Sequence, residues 1–324
     1  EYIEKTYEQV GKDIKAFGTG LLNLDLMGER IVVVGKNRYE WCISYLATTC
    51  SNMVIVPIDK ALPDIEMQRL IERSEAKAII FDEKYLETIK KVQEKENSNL
   101  KTLICMDNIQ EKGIKTFNEI LEEGRNQIKN GDQKYDNIEI DENKMSIMLF
   151  TSGTTNEPKA VMLSQANICA NISNIACWVK LYPTDVLLSF LPIHHTFECT
   201  ITFLYGFYSG SQVAFCDGLK HIQQNLKEYK VSVFVAVPLV LETMYKKIQK
   251  AIEEQGKTGL INKMTKISNT LLKAKIDIRK IVFKQILDNF GGHLRVVLYG
   301  AAPMNKATII GYNNLGISLV QGYG

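Results

Sequence analysis

The chain has 324 residues, enough to bury a large core or two, and its 45% apolar and 23% charged residues are ordinary for a folded soluble protein. Lys and Arg number 39 against 37 Asp and Glu, and no basic run stands out as a patch for RNA or membrane, which argues against a nucleic-acid binder. No apolar run approaches the ~18 residues that span a bilayer.

Short apolar runs rich in β-branched residues alternate with amphipathic stretches of helical length. Strand, helix, strand, helix and strand are predicted in turn over residues 31–34, 39–49, 53–56, 61–72 and 78–81. Further strands are predicted at residues 186–190, 231–237, 294–299 and 318–320. Continuous apolar strands suit a sheet that is buried on both faces, and their alternation with helices predicts that the strands are parallel.

Two longer stretches have less regular patterns. Residues 90–133 are more polar and are predicted to form a surface excursion with helices. Residues 242–289 are rich in lysine and are predicted to be mostly helical, with a turn near residues 256–259. The alternating charges of this second stretch predict a solvated face.

Residues 150–159, with the sequence FTSGTTNEPK, carry the strongest chemical signal. Backbone N–H groups around Gly153 can form a nest for an anion, the Ser and Thr hydroxyls can add donors, and Lys159 adds a mobile positive charge. These groups suit a polyphosphate. The segment is not a Walker loop, because Pro158 precedes the lysine and Ala160 follows it. A polar turn after a strand is the alternative interpretation, since these residue types favour turns.

Residues 150–164 resemble the signature of the adenylate-forming superfamily, which contains acyl-CoA synthetases, luciferases and the adenylation domains of peptide synthetases. Asn156 and Ala160 stand where this family usually has glycine, and Gln165 replaces a frequent histidine. Asparagine tolerates the left-handed backbone region better than most residues. Alanine at position 160 is acceptable if its φ is negative and strained if its φ is positive.

Further segments match in the order that the family has them. Residues 191–198, LPIHHTFE, resemble the Leu-Pro-x-x-His motif, and this resemblance implies that His195 faces the acyl carboxylate. Val237, Pro238 and Glu242 resemble a Val-Pro-x-x-x-Glu element. Residues 299–303 resemble the segment whose backbone packs on adenine, and residues 321–324 match the start of Gln-Gly-Tyr-Gly-x-Thr-Glu, with an aromatic ring for the adenine. The resemblance covers nearly the whole chain.

The residues around His195 permit other interpretations when they are considered alone. The pattern His194-His195-x-x-Glu198 is compatible with metal ligation, because Glu198 lies three residues from His195 on a possible helix. It also echoes the HHxxxDG acyltransferase motif, although the Asp-Gly is missing. A polar strand end above a helix N-terminus is the simplest alternative. With a phosphate loop upstream, we favour a carboxylate site.

The resemblance implies an α/β fold, namely the large N-terminal domain of an adenylate-forming enzyme, with two interleaved α/β subdomains and mostly parallel sheets packed by helices. Approximate subdomains are expected at residues 25–210 and at residues 211–324 together with the N-terminal helix. The chain opens without Met and stops at Gly324, so we expect a partial N-terminal domain without the C-terminal lid domain. In the family, the next residues include a Thr and a Glu that meet phosphate and magnesium, and the lid carries a lysine. The chain alone is therefore expected to be inactive or nearly so.

The activity implied by the resemblance joins a carboxylate to AMP from ATP, with Mg²⁺ and release of pyrophosphate, and then transfers the acyl group to coenzyme A. His195 and Lys159 are expected to act in catalysis, and His195, Phe197 and Glu198 to contact the acid; no metal ligand is assigned. The residues expected to bind ATP are Thr151, Ser152, Gly153, Thr154, Thr155, Lys159, Gly300, Ala301, Ala302, Pro303, Gln321, Gly322, Tyr323 and Gly324.

Two features favour a long-chain fatty acid as the substrate: the His-x-x-Glu form of the motif and the long helical insertion between Pro238 and Gly291. Both are similar to long-chain fatty-acid–CoA ligases. The apolar run at residues 201–206 fits either the wall of an acyl tunnel or plain core. The alternatives to a CoA ligase are an enzyme that loads a carrier protein and a non-catalytic nucleotide-binding homologue.

The remaining expectations concern location and partners. Seven scattered cysteines without a CxxC pair predict buried thiols in a reducing compartment, and the first residues do not form a signal peptide, so a cytoplasmic location is expected. The expected partners are the acid, ATP and coenzyme A, without nucleic acid. A homodimer and a peripheral membrane contact are open possibilities, the latter because a fatty acid would suit it.

Overall fold

A computed structural model describes residues 2–151 and 158–322 of the chain. The chain divides into two compact units, Glu1–Trp178 and Val179–Gly324. This division lies earlier than the expected boundary near residue 210, because the strand at Val186–Ser189 pairs with later strands and so belongs to the second unit. The N-terminal helix, expected to join the second subdomain, packs within the first unit instead.

In the described part of the chain, the first unit holds a sheet of seven strands in the order β5-β4-β3-β1-β2-β6-β7. The strands are β1 (Arg30–Val34), β2 (Val54–Pro57), β3 (Ala78–Phe81), β4 (Thr102–Cys105), β5 (Lys115–Thr116), β6 (Met145–Thr151) and β7 (Lys159–Ser164). Neighbouring strands are parallel except β6 and β7, which are antiparallel. The central strands are buried on both faces, as their continuous apolar sequences predict.

Helices cover this sheet. They are α1 (Tyr7–Leu22), α2 (Tyr39–Thr49), α3 (Asp64–Ser74), α4 (Leu86–Gln93), α5 (Phe117–Lys129) and α6 (Gln165–Trp178), with a 3₁₀ turn at Glu83–Tyr85. α1 begins with a capping box between Thr6 and Gln9. It packs closely on α5 because Gly124 has no side chain, and a Cβ there would lie 1.8 Å from the carbonyl oxygen of Ala16.

The stretch at residues 90–133 is more than the surface excursion that its polarity predicts. β4 lies within the sheet, between β3 and β5, and Leu103, Ile104 and Cys105 are buried. α5 contributes Phe117, whose ring stacks on Phe17 of α1 at a centroid distance of 4.4 Å. Polar loops flank this apolar strand, and their composition led to the prediction of a surface excursion.

The second unit holds a sheet of five parallel strands among the described residues, in the order β12-β11-β10-β8-β9. The strands are β8 (Val186–Ser189), β9 (Gln212–Phe215), β10 (Val233–Ala236), β11 (Val296–Tyr299) and β12 (Ser318–Gln321). The seven-stranded sheet of the first unit is also largely parallel. The two sheets together confirm the predicted α/β class with mostly parallel sheets.

A helical run follows β8 and includes a π-helix at Cys199–Tyr205, a form that often marks functional sites. The helices of the unit are α7 (Thr196–Glu198), α8 (Gly206–Tyr208), α9 (Ile222–Glu228), α10 (Pro238–Glu254), α11 (Thr258–Lys273), α12 (Arg279–Val282), α13 (Lys284–Leu287) and α14 (Lys306–Asn314), with 3₁₀ turns at Leu219–His221 and Asp288–Phe290. α10 and α11 confirm the predicted helical stretch and its turn. No helix within residues 2–151 and 158–322 is both long and apolar enough to cross a membrane.

Candidate active site

The predicted phosphate loop connects two antiparallel strands of the first unit. β6 ends at Thr151, β7 begins at Lys159, and these two residues are paired across the ladder. Both are exposed. Opposed residues of an antiparallel pair have Cα atoms about 5 Å apart. The fold therefore brings two of the predicted phosphate-binding residues together at the mouth of the loop.

Four other predicted phosphate-binding residues, Ser152, Gly153, Thr154 and Thr155, lie outside the described residues. Asn156 also lies outside them. Ala160, which replaces a usual glycine of the family, is described and lies in β7 opposite Phe150. A residue in a β-strand has an extended backbone with negative φ. Alanine therefore fits position 160 without backbone strain.

His195 precedes α7 in the second unit, and its imidazole caps that helix. Nδ1 accepts a hydrogen bond from the backbone N–H of Phe197, with an N···N distance of 3.2 Å. A nitrogen that accepts carries no hydrogen, so the neutral ring has its hydrogen on Nε2. The residue is exposed. His195 thus presents an N–H donor to solvent, the group that can bind a carboxylate oxygen.

Glu198, three residues later, is directed into the interior of the second unit, with an exposed fraction of 1%. Oε1 accepts a hydrogen bond from the hydroxyl of Ser189 at 2.7 Å, and Oε2 accepts one from the hydroxyl of Thr202 at 2.9 Å. The backbone N–H of Phe190 also donates to this carboxyl group. The network ties α7, and with it the turn that carries His195, to the end of β8.

Burial raises the pKa of Glu198 to about 8, although the hydrogen bonds from Ser189, Thr202 and Phe190 each lower it. The three donors are neutral and only partly replace the hydration that an ionised carboxylate loses. The group is therefore mostly protonated at pH 7. Within the described ranges, no three His, Cys, Asp or Glu side chains are grouped as a metal site, so the metal interpretation of the His194-His195-x-x-Glu198 pattern gains no support.

The predicted adenine segment begins where β11 ends, beside the end of β12. Gly300 follows β11 and Gly322 follows β12, and the N–H of Gly322 donates to the carbonyl of Tyr299 at 2.8 Å. The ring of Phe197 lies against both glycines: a Cβ added to Gly300 would lie 3.1 Å from Phe197 Cε2, and one added to Gly322 would lie 3.4 Å from it. The side chain of Gln321 accepts a hydrogen bond from the Tyr299 hydroxyl at 3.2 Å. Phe197 therefore joins the segment predicted to bind the acid to the segment predicted to bind adenine.

Ala301, Ala302 and Pro303 continue this segment and are exposed. Ala301 has a φ of +70°, in the left-handed region that costs a residue with a Cβ roughly 1 kcal/mol. Such strain persists where the surrounding structure imposes it, often at ligand sites. Tyr323 and Gly324, also predicted to contact adenine, lie outside the described residues.

Glu242 of α10 binds the backbone just beyond the predicted adenine segment. Its Oε1 accepts a hydrogen bond from the backbone N–H of Asn305 at 3.0 Å, and Asn305 caps α14 by accepting from the N–H of Ala307. From the sequence alone Glu242 has no role beyond its motif, because its partner lies 63 residues away. Ser189 and Thr202 likewise have no sequence signal that separates them from ordinary polar residues.

The apolar run at residues 201–206 packs as core in the second unit. Ile201, Phe203 and Leu204 of the π-helix are buried. A Cβ on Gly206 would lie 3.2 Å from a methyl of Val213 on β9 and 3.5 Å from one of Leu187 on β8. The run therefore rests on the sheet.

The fold is that of the N-terminal domains of acyl-activating enzymes. The inhibitor-bound N-terminal domain of FACL13 from Mycobacterium tuberculosis matches 99% of this chain and 69% of that chain, with a TM-score of 0.73 and 19% sequence identity. At this identity the likeness establishes the fold alone.

Sequence comparison defines the family. The chain is 30% identical over 346 residues to long-chain-fatty-acid–CoA ligase 6 of Mus musculus (98% of this chain, 48% of that protein). It is 26% identical over 328 residues to long chain acyl-CoA synthetase 4 of Arabidopsis thaliana (94% of this chain, 48% of that protein). The chain thus spans about half the length of the curated relatives it matches. The family model described as AMP-binding enzyme matches residues 1–324, so the chain belongs to this family, and the predicted superfamily is confirmed.

Proposed function

We propose that the full-length protein is an acid–thiol ligase. It activates a carboxylic acid with ATP as acyl-AMP, releases pyrophosphate, and transfers the acyl group to the thiol of coenzyme A. The match of residues 1–324 to the AMP-binding enzyme family carries this proposal. The relatives named as long-chain-fatty-acid–CoA ligase and long chain acyl-CoA synthetase support a long-chain fatty acid as the substrate.

In the first step, a carboxylate oxygen attacks the α-phosphorus of ATP as the bond from that phosphorus to the oxygen bridging to the β-phosphate breaks. Positioning and charge neutralisation provide most of the catalysis in such reactions. We assign Thr151, residues 152–155 and Lys159 to the β- and γ-phosphates, where the lysine offsets the negative charge of the departing pyrophosphate. The loop mouth between β6 and β7 supports this assignment.

In the second step, the sulfur of coenzyme A attacks the acyl carbonyl carbon, AMP leaves with the bonding electrons, and the thiol proton is released. Magnesium is the cation proposed to accompany the phosphates. Because no cluster of metal-binding side chains occurs within the described residues, neither step is assigned to it. By resemblance, the residues of the family that contact magnesium come after the position that corresponds to Gly324.

We assign the acid and the base of the nucleotide to the second unit. His195 donates from Nε2–H to the substrate carboxylate, supported by its Nδ1 hydrogen bond. Glu198, expected from the sequence to contact the acid, is proposed to position His195 through Ser189 and Thr202 instead. The residues proposed to hold adenine, with Phe197 packed against them, are Gly300, Ala301, Ala302, Pro303, Gln321, Gly322, Tyr323 and Gly324.

The activity is proposed for the full-length protein and not for residues 1–324 alone. By resemblance, the carboxylate that meets magnesium and the lysine of the C-terminal domain lie outside this chain, and each such group is typically worth about 3 kcal/mol of transition-state stabilisation. ATP–pyrophosphate exchange by residues 1–324 at the rate of the full-length protein would contradict this. A cytoplasmic location and a homodimeric state are proposed from the sequence and the family alone.

The test is pyrophosphate release by the full-length protein with ATP, Mg²⁺ and a panel of acids from acetate to palmitate plus aryl acids, with and without coenzyme A. We expect release only with long chains, and thioester only when coenzyme A is present. Release of pyrophosphate without formation of a thioester would indicate that the acyl acceptor is a carrier protein and not coenzyme A. No release with any acid, in a protein that still binds ATP, would indicate a non-catalytic homologue.

A further inference from the structure

The helix α11 has two chemically different sides. On its inner side, Ile261 and Met264 pack against the apolar core of the second unit, and Ser268 is buried. On its outer side, Leu260, Lys263 and Ile267 follow one another at the i, i+3, i+7 spacing of a single helix face. Leu260 is 53% exposed and Ile267 is 48% exposed. Apolar side chains therefore stand among lysines on a surface that faces water.

The same composition continues into α12, which contacts α11. Ile276 and Ile281 are 52% and 77% exposed. We define the basic apolar face as Leu260, Lys263, Lys266, Ile267, Lys273, Lys275, Ile276, Lys280 and Ile281. All of these residues are exposed.

The positive charge of this region is local, and it corrects the expectation from the whole-chain charge balance that no basic patch for a membrane stands out. Residues 257–284 contain eight Lys and Arg residues and one Asp, a net charge of +7, whereas the whole chain has +2. Arg279 pairs with Asp277, and Lys284 pairs with Asp288. Within residues 2–151 and 158–322, the five lysines of the basic apolar face form no ion pair. The charge is therefore free to attract an anionic partner.

We propose that the basic apolar face docks the protein on the surface of an anionic lipid bilayer. Lysines near an anionic leaflet are attracted to its headgroups, while isoleucine and leucine enter the boundary between headgroups and acyl chains. Lysine side chains can extend from a helix so that their ammonium groups stay in the headgroup layer. The lysines and the apolar side chains of the face therefore both contribute to docking.

Other occupants fit the face less well. A second copy would place unpaired lysines against unpaired lysines, and like charges repel. The face has no aromatic side chain on which the bases of a nucleic acid could stack. Docking concerns only this surface and does not depend on the reaction proposed above.

The test uses the full-length protein with phosphatidylcholine vesicles and with vesicles in which about a third of the lipid is phosphatidylserine. We expect sedimentation with the anionic vesicles to exceed that with the neutral ones, and this excess to fall as salt is added. Each lysine near the leaflet strengthens binding roughly five-fold. The triple variant Lys263→Gln, Lys266→Gln, Lys273→Gln should therefore bind anionic vesicles about 100-fold more weakly than the unchanged protein.

A matched control removes three exposed lysines of the first unit by Lys91→Gln, Lys112→Gln and Lys129→Gln, and should bind anionic vesicles within about two-fold of the unchanged protein. The variant Leu260→Ser, Ile267→Ser should also lose binding, which separates insertion from charge alone. Pyrophosphate release with a water-soluble acid should stay unchanged in all three variants, so failure of docking and failure of the reaction are distinguishable.

Three results would overturn the proposal. The first is equal binding of the full-length protein to neutral and anionic vesicles, or binding to neither. The second is loss of anionic binding in the control triple variant to the same extent as in the face variant. The third is loss of self-association in the face variant without any change in vesicle binding, which would assign the face to a second copy.

Discussion

The hydroxyl of Ser189 donates a hydrogen bond to the carboxyl group of Glu198 at 2.7 Å in the interior of the second unit. Ser189 ends β8 and Glu198 ends α7, so this contact closes the loop that contains His195. A buried carboxyl group that closes a loop contributes to stability, and its protonation makes that contribution depend on pH.

The first prediction concerns stability against pH. Because the pKa of Glu198 is raised from 4.5 to about 8, the native protein keeps a proton that the unfolded chain releases between these values. Stability should therefore fall as pH rises through this window, by about 1.4 kcal/mol per pH unit. The variant Glu198→Gln cannot ionise and should lose this slope. Urea unfolding at several pH values measures it, and parallel pH profiles for the two proteins would contradict the buried neutral carboxyl.

The second prediction concerns Lys159. Replacing it by alanine should lower ATP–pyrophosphate exchange by the full-length protein about 100-fold or more, because a charge that stabilises the leaving group is lost. The matched control is Lys144→Ala, an exposed lysine just before β6 whose side chain is 81% exposed. Exchange should be unchanged in this control. Equal exchange by Lys159→Ala and the unchanged protein would remove Lys159 from the phosphate site.

The third prediction concerns the backbone at Ala301, whose φ is +70°. A β-branched residue tolerates this region poorly, so Ala301→Val should destabilise the second unit by about 2 kcal/mol. Ala301→Gly should be neutral or stabilising by up to about 1 kcal/mol. Ala302→Val is the control at the adjacent exposed position. Thermal unfolding compares the three, and an equal effect of valine at both positions would show that φ is not the cause.

The fourth prediction concerns the ion pair of Arg295 with Asp185. Nε and Nη2 of Arg295 lie 2.8 and 2.5 Å from the carboxylate of Asp185, whose side chain is 5% exposed. Burial alone would raise the pKa of Asp185, but hydrogen bonds from Arg295, Ser232 and the backbone N–H of Tyr182 outweigh it and lower the pKa.

Arg295→Gln should therefore cost about 3 kcal/mol in stability, because a buried charge loses its partner. Adding Asp185→Asn should recover part of this loss, since no unpaired charge remains. Denaturant unfolding of the two single variants and the double variant measures the coupling. Strictly additive losses would mean that the pair contributes little.

The fifth prediction concerns Glu242, which accepts a hydrogen bond from the N–H of Asn305 beyond the adenine segment. Glu242→Leu should raise KM for ATP about ten-fold, because the segment loses an anchor of roughly 1.4 kcal/mol. Glu242→Gln retains an accepting oxygen and should stay near the unchanged value. Steady-state kinetics with ATP varied distinguishes the two, and an equal rise in both variants would indicate that charge, not anchoring, matters.

Part of the fold could be predicted from local pattern. The helix expected at residues 39–49 is α2, and the strand expected at residues 78–81 is β3. Apolar runs and amphipathic spacing are properties of neighbouring residues, so they can be seen without the fold. β4 was not predicted, because its apolar run lies within a polar stretch, and its place between β3 and β5 is a tertiary contact.

The candidate active site and the basic apolar face could likewise be predicted only in part from the sequence. The sequence by itself determined the family and the identity of its motifs, because residues such as 150–159 lie together along the chain. Only the tertiary structure decided that Glu198 faces inward to Ser189 and that Glu242 reaches Asn305, since these contacts join residues distant in sequence. It also decided that the lysines between residues 263 and 280 are exposed, as are isoleucine and leucine side chains near them in the chain. Burial and the direction of a side chain depend on what packs around it, and no local pattern contains that information.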